Sequence, residues 1–227
     1  MSPAQKRYLL LVLLLAAAYF AVFIFPNAAA SDDVNMVLAL SPDEAVPLPY
    51  VLEMIQPAET VKQALINFAF YDYYFYGYPH FAVSALALLP LALAGRLADT
   101  PLVMVTLRQV VSVLPMLLAV LGLVYLQTRF RSYKAVVLFV FLLSVPALVQ
   151  NNFWWHPDSL AILFAVGAIL FLDHDDLRFG RSFYLAAAMC GIAAQIKGIG
   201  FYFFLAVGVY LLIGYFGKKA ALPRLAL

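Results

Sequence analysis

Apolar residues dominate five long runs of the chain: 8–25, about 101–127, 135–149, 159–172 and 183–216. The only charges inside them are Arg108 and Lys197. Runs that are apolar all round and approach 20 residues fit helices buried in lipid rather than half-buried strands. The last run has room for about two spans, and Lys197-Gly198 lies near its middle. It therefore predicts two short helices, 183–196 and 199–216. Residues 81–95 form another apolar stretch, short of the usual span and containing Pro90. If it crossed a membrane, every later basic cluster would change sides, so the reading here is a re-entrant or flat-lying helix.

Between the first run and residue 80 lies a long loop with structure of its own. Ser31 is placed to cap a helix over about 32–40, which Pro42 ends. Pro57 to about Phe70 predicts a second helix with Val61, Leu65 and Phe68 on one side, suited to a membrane surface. Tyr71 to His80 carries five tyrosines in ten residues, the composition of an interfacial belt. The pattern as a whole predicts an all-α, polytopic transmembrane bundle of about six or seven helices. Its long extracytoplasmic first loop carries amphipathic juxtamembrane helices. Residues 1–227 form one module: a first span over 8–25, an external loop over 26–80, and the remaining helices over 81–216. The last basic residues, Lys218, Lys219 and Arg224, come soon before Leu227, as expected of the N-terminal part of a longer protein.

Composition agrees: 66% of residues are hydrophobic and 11% charged, where a soluble domain is about a quarter charged. The basic clusters Arg129/Arg131/Lys134, Arg178/Arg181 and Lys218/Lys219 alternate with the apolar runs, and each is expected on the cytoplasmic side. The loop over 26–78 holds seven of the twelve acids and one base, Lys62, and is expected outside. The N-terminus, with Lys6 and Arg7, is then cytoplasmic. Asn27 to Ser31 also matches a signal-peptidase site, but the 18-residue run before it is longer than a signal core needs to be. Cys190 is the only cysteine, which excludes an intrachain disulfide and a thiolate metal cluster. The chain carries no Gly-rich phosphate loop and no nucleic-acid signature.

Candidate chemistry gathers at the outer ends of these runs. Asn151 to Ser159 is a polar knot holding both tryptophans and one of the three histidines, with His156 and Asp158 at its tip. Asp158 also suits the first turn of the following helix, where the helix dipole alone favours an acid. The same face gathers Asp32, Asp33, Asp72, His80, Arg108 and Lys197. Ionisable groups at membrane depth are expensive unless they face a cavity or a partner. Lys197 has no acid in its own segment, so its partner is Asp32 or Asp33, Asp158, or a lipid phosphate. Asp32 and Asp33 also sit where a helix begins, and as a pair they offer an incomplete oxygen site for a divalent cation. His80 equally suits an interfacial histidine, and Arg108 and Lys197 equally suit snorkelling to headgroups. The run Asp173-His174-Asp175-Asp176 reads as a solvated cytoplasmic loop beside Arg178.

The order of these features resembles a family. One span is followed by an acidic pair, a loop with amphipathic helices, and Tyr-Gly-Tyr-Pro-His at 76–80. Arg108 then stands near the head of a long helix, Pro157-Asp158 opens a later one, and Lys197-Gly198 separates two apolar runs. This order is similar to the GT-C superfamily of integral-membrane glycosyltransferases, nearest the protein O-mannosyltransferases and the aminoarabinose transferase of lipid A. His156-Pro157-Asp158 also resembles an element of the glycosylphosphatidylinositol mannosyltransferases. Two departures stand out: Pro79-His80 reverses the family's order, and Ile196 replaces the usual Thr before Lys-Gly.

The resemblance implies a sugar transferred from a polyprenyl-phosphate donor to a lipid, glycan or protein acceptor at the extracytoplasmic face. The membrane expected is a bacterial or archaeal plasma membrane. Asp32 or Asp33 is implied as the general base or as a ligand of a divalent cation, Mg or Mn. Arg108 and Lys197 are implied at the donor phosphate, in one cavity, with His80, His156 and Asp158 toward the substrates. A different reading of the same residues is a non-catalytic lipid-binding or transport subunit, in which the cations hold a lipid phosphate and no base is needed.

Overall fold

The computed structural model describes residues 1–29 and 31–217, so the expected cytoplasmic placement of Lys218 and Lys219 lies outside the described residues. Among the described residues the chain is all helical. The first helix, α1 (Pro3–Ala28), begins at a capping box in which Ser2 and Gln5 exchange side-chain and backbone hydrogen bonds. A helix continuous over Thr100–Thr128 is made of α7 (Thr100–Leu107), a π-helical segment (Arg108–Val113) and α8 (Leu114–Thr128). These two helices, Pro3–Ala28 and Thr100–Thr128, are long and apolar enough to cross a membrane.

The π segment has a local cause. Pro115 has no N–H to give and its ring crowds the carbonyl four residues back, so the ladder slips by one residue just before it. Leu114 N–H accordingly donates to Gln109 O, five residues back. The slip matters because Arg108, Gln109 and Ser112 sit in that turn, and all three are buried.

The loop after α1 folds into short helices: α2 (Val34–Leu40), α3 (Pro42–Ala45), α4 (Leu48–Met54) and α5 (Val61–Ala69). The cap of α2 is Asp33, not Ser31; Ser31 is buried and its hydroxyl donates to Ala28 O. The predicted helix from Pro57 starts four residues later, at Val61, where Thr60 caps it. Val61 and Leu65 lie exposed on it. Next comes α6 (Tyr78–Leu93), covering the stretch predicted as re-entrant or flat. It packs with α4, α7 and the π segment in a core of Val37, Leu48, Val51, Phe81, Leu88, Met104, Leu107 and Trp155. A second core joins α1 and α8 to α9 (Lys134–Leu143), through Val12, Phe23, Leu117, Val124 and Phe139.

After α9 follow α10 (Pro146–Asn151), α11 (Asp158–Asp175), α12 (Arg181–Ile196), a 3-10 turn (Gly198–Phe203) and α13 (Phe204–Phe216). The long run does divide at Lys197, whose backbone is extended (φ −153°). Asp175 corrects the reading of 173–176 as solvated. It is buried and accepts from Phe179 N, Gly180 N and Tyr210 Oη, so its carboxylate folds the turn between α11 and α12.

Two ends of the bundle can be told apart by their hydrogen bonds. At one end Gln5 Nε2 donates to Arg129 O, and Arg129 pairs with Asp173 at 2.5 Å. At the other, Asn27 Nδ2 donates to Asn152 O, 3.0 Å away. The sides of the helices are apolar and uncovered at Leu14, Val22, Ile24, Val137, Phe141, Leu205, Val209 and Leu212. Exposed apolar side chains on α1 agree with its length and composition as a helix able to cross a membrane.

Gly77 ties the tyrosine-rich loop to the break at Lys197. Its N–H donates to Ile196 O, and a Cβ added there would lie 1.4 Å from Gln195 O. That neighbour is backbone and cannot swing away. Gly77→Ala is therefore expected to destabilise the protein by about 1–3 kcal/mol or more, read as a lower thermal midpoint in detergent. An unchanged midpoint would show that this approach is not close.

Candidate functional site

The knot between α10 and α11 is anchored residue by residue. Asn152 is buried, and its Nδ2 donates to Tyr19 Oη at 3.0 Å. Trp155 is fully buried; its N–H donates to Glu44 Oε1 at 2.5 Å and its indole Nε1 to Ser84 Oγ at 2.9 Å. His156 N–H donates to Ser112 Oγ at 3.3 Å. The knot is thus bonded to α1, α3, α6 and the π segment at once, which fixes a loop that polar composition alone would leave loose.

Onto this frame is built a charged triad. Lys197 Nζ lies 2.5 Å from Asp158 Oδ1, and His156 Nδ1 lies 3.0 Å from Asp158 Oδ2. Asp158 precedes the apolar run 159–172, at its loop end. Burial alone would raise its pKa, but the bonds from His156 and Lys197 outweigh burial and hold it at about 2. An ionised carboxylate only accepts, so the proton between the two residues sits on His156 Nδ1. A ring with its single proton there keeps a lone pair on Nε2, and Nε2 bonds nothing among the described residues. The ring is held between aromatic neighbours, stacked with Trp154 (5.4 Å, 22°) and T-shaped to Tyr76 (5.4 Å, 77°). Tyr76 itself is pushed up to about 12, by burial first and then by Asp43, Tyr73 and Asp158, so it stays a neutral donor.

Lys197 and Asp158 open onto a cavity of about 390 Å³, walled by Met116, Leu148, Ala161, Ile162 and Phe203, with Asn151 beside them. The ammonium has three donors and Asp158 takes one, so two remain for a ligand. Asn151 Nδ2 donates to Ser159 Oγ, which is buried.

Arg108 occupies a second cavity, of about 310 Å³, with Glu44, Ser41, Gln150, Phe153 and Trp154. Its Nε and Nη2 lie 2.8 and 2.6 Å from the two oxygens of Glu44, and Nη1 donates to Asn27 O at 2.8 Å and Ala29 O at 3.3 Å. Both side chains are almost wholly buried, 5% and 0% exposed. This bidentate pair neutralises Arg108 and spends most of its donors. The expectation that Arg108 and Lys197 share one cavity at a donor phosphate is therefore corrected: the two line different cavities, and Arg108 has no charge to spare.

The remaining candidates divide. Asp32 and Asp33 are exposed, and Asp33 Oδ1 accepts from Met36 N at 2.8 Å as the cap of α2. No group of three or more His, Cys, Asp or Glu side chains suited to a metal gathers among the described residues. Two carboxylates, one already engaged, do not fit a resident divalent cation as they stand. His80 is also corrected as a substrate contact. It is fully buried, stacked on Trp155 at 5.2 Å, with neither ring nitrogen bonded among the described residues, and it lines neither cavity.

Sequence reasoning missed Glu44, Ser84 and Ser112. Glu44 had half a signal: a lone Arg108 inside an apolar helix requires a buried acid, and Glu44 is one of seven acids in the loop before it. The serines had none, because a hydroxyl accepting one backbone or indole N–H leaves no pattern in a sequence. Comparison of the chain with protein-family models, with curated proteins and with solved structures returns no match.

Proposed function

We propose that the chain is a membrane-embedded glycosyltransferase of the GT-C type, moving a sugar from a polyprenyl-phosphate donor to an acceptor hydroxyl at the extracytoplasmic face. In this reading the bundle spans the membrane six or seven times with the N-terminus cytoplasmic. Arg7, Arg129, Arg131, Lys134 and Arg181 belong to helix ends and turns of the inner side, as the positive-inside rule asks. The observation that carries the reading is the Lys197–Asp158 ion pair on the wall of a cavity lined, apart from Asn151, by apolar residues, with His156 bonded to the other oxygen of Asp158. A lipid phosphate combines these two demands: an apolar tail for the wall and an anion for the two free donors of Lys197.

The chemistry is a displacement. The acceptor O–H proton passes to a base, the oxygen attacks the anomeric carbon, and the carbon–phosphate-oxygen bond breaks with its electron pair leaving on phosphate. Lys197 meets the growing charge on that phosphate. The resemblance assigns the base to Asp32 or Asp33, and of these Asp32 is the one not engaged as a cap. A second base is favoured by a specific observation: His156 Nε2, whose lone pair is set free by the bond of Nδ1 to Asp158.

The test is a transfer assay in nanodiscs with a polyprenyl-phosphate sugar, beside direct donor binding. Lys197→Met is expected to raise the donor Kd at least about tenfold by removing a charge-assisted bond. Asp32→Asn or His156→Gln is expected to slow transfer roughly 10²–10⁴-fold while donor binding stays within about twofold of wild type, since neither holds the phosphate. Donor binding without transfer in the wild type would favour a non-catalytic lipid-binding subunit, and unaltered donor binding by Lys197→Met would remove the site.

A further inference from the structure

A third cavity, of about 540 Å³, is lined by Gln5 and Leu9 of α1 and by Tyr125, Arg129, Phe130 and Arg131 at the end of α8. It lies far from Lys197. Arg129 pairs with Asp173, and the Asp158 that holds Lys197 opens the same helix, roughly 22 Å away along its axis. The turn that builds the cavity is held in a costly shape: Arg129 and Phe130 both take left-handed backbone, with φ of 50° and 53°. Gln5 Nε2 ties that turn to α1 by donating to Arg129 O at 3.0 Å. Charge then sets the sign of a ligand. The Arg129 guanidinium lies 4.7 Å over the ring of Tyr125 and is shared with Asp173. Arg131 is exposed, and among the described residues only its backbone bonds, N–H to Thr128 O. No acid lines the cavity among the described residues. The positive end of α1 and the negative end of α8 meet here and oppose each other, so the two arginines decide for an anion.

The neighbouring groove says what carries the anion. Leu13, Ala17, Phe20, Leu114, Leu118 and Leu121 line an apolar groove between the same two helices. Leu13 stands one turn on from Leu9, and Leu121 one turn before Tyr125, so the groove continues the cavity along the same helix faces. Leu13, Leu114 and Leu118 are 39–45% exposed, within reach of an occupant. From Leu13 to Phe20 the groove runs about 10 Å, a good part of an acyl chain. A free phosphate would use the arginines and leave the groove empty, and a neutral lipid would do the opposite. We infer that α1 and α8 hold an anionic phospholipid, its phosphate at Arg129 and Arg131 and one acyl chain along the groove. In the orientation proposed above it belongs to the cytoplasmic leaflet. The inference needs these two helices in a membrane and does not need the transfer chemistry.

The experiment is native mass spectrometry of the wild-type protein in detergent, titrated with phosphatidylglycerol or phosphatidylcholine. Inorganic phosphate and glycerophosphoglycerol, the headgroup without its chains, serve as competitors. Phosphatidylglycerol is expected to bind at least about fivefold tighter than phosphatidylcholine and to resist both competitors. Arg131→Gln is expected to weaken it roughly fivefold, the worth of one such charge beside a lipid anion. Lys134→Gln makes the same change of charge outside the cavity and is expected to cost less than about twofold. Ala17→Phe fills the groove from an exposed position and is expected to weaken binding roughly threefold to tenfold. Lys197→Met is expected to leave it within about twofold, which separates this lipid from the proposed donor. No preference for phosphatidylglycerol would overturn the inference. So would equal losses in Arg131→Gln and Lys134→Gln, displacement by either competitor, or a loss in Lys197→Met as large as that in Arg131→Gln. The expected pattern in a protein with no transfer activity would leave this site standing and sink the proposed function. Transfer by a protein that binds the two lipids equally would do the reverse.

Discussion

Glu44→Ala is expected to destabilise the protein by about 3–5 kcal/mol, because it leaves a buried guanidinium without its counter-charge. The Arg108 side chain is 5% exposed. The loss extends beyond the pair, since Glu44 Oε1 also accepts the backbone N–H of Trp155, a residue with no exposure. One carboxylate thus joins α3, the π segment and the Trp-Trp-His knot. Thermal unfolding in nanodiscs measures the effect, and the double replacement Arg108→Met with Glu44→Leu checks its cause. A well-packed apolar pair of similar volume is often no less stable than a buried ion pair, so the double variant is expected to recover most of the loss. If Glu44→Ala alone melts within about 1 kcal/mol of wild type, the pair is not the clasp described here.

The same pair shows why part of this molecule was legible in its sequence and part was not. Helix positions follow from apolar runs, and the break at Lys197 follows from a lone charge with glycines around it; both are local. A buried ammonium must be met, which limits the partner of Lys197 to a short set that includes Asp158, the residue it bonds. Arg108 demanded a partner on the same physical ground, yet the loop offered seven acids and nothing local ranked Glu44 above its neighbours. What ranks it is the π slip before Pro115, which turns Arg108 toward α3. The slip itself follows from Pro115, but which acid of the folded loop lies opposite Arg108 depends on where α3 packs, and no window of sequence contains that. Asp33 shows the opposite failure. An acidic pair after a first span suggested chemistry for both residues, but the simpler demand of a helix start took Asp33 and left Asp32 alone.

Asp158→Asn is expected to separate binding from chemistry. The amide no longer anchors Lys197 by charge, so the ammonium keeps all its donors for the phosphate, and the donor Kd is expected to hold or fall. Turnover is expected to drop roughly 10²–10⁴-fold, because an amide no longer fixes the proton on His156 Nδ1 and Nε2 loses its defined lone pair. A merely structural role would lower stability without this split. Stability adds a second readout with a definite sign. Asp158 is held at about 2 against an ordinary 3.8, so its contribution is fully present above pH 3.8 and is lost as the pH falls through about 2. The gap in thermal midpoint between wild type and Asp158→Asn is therefore expected to be constant at neutral pH and to close on acidification. If His156 is the base, Asp158→Asn with His156→Gln is expected to turn over no more slowly than His156→Gln alone, since residues acting as one unit are not additive. Multiplying losses in that double variant would detach Asp158 from His156 and return the base to Asp32.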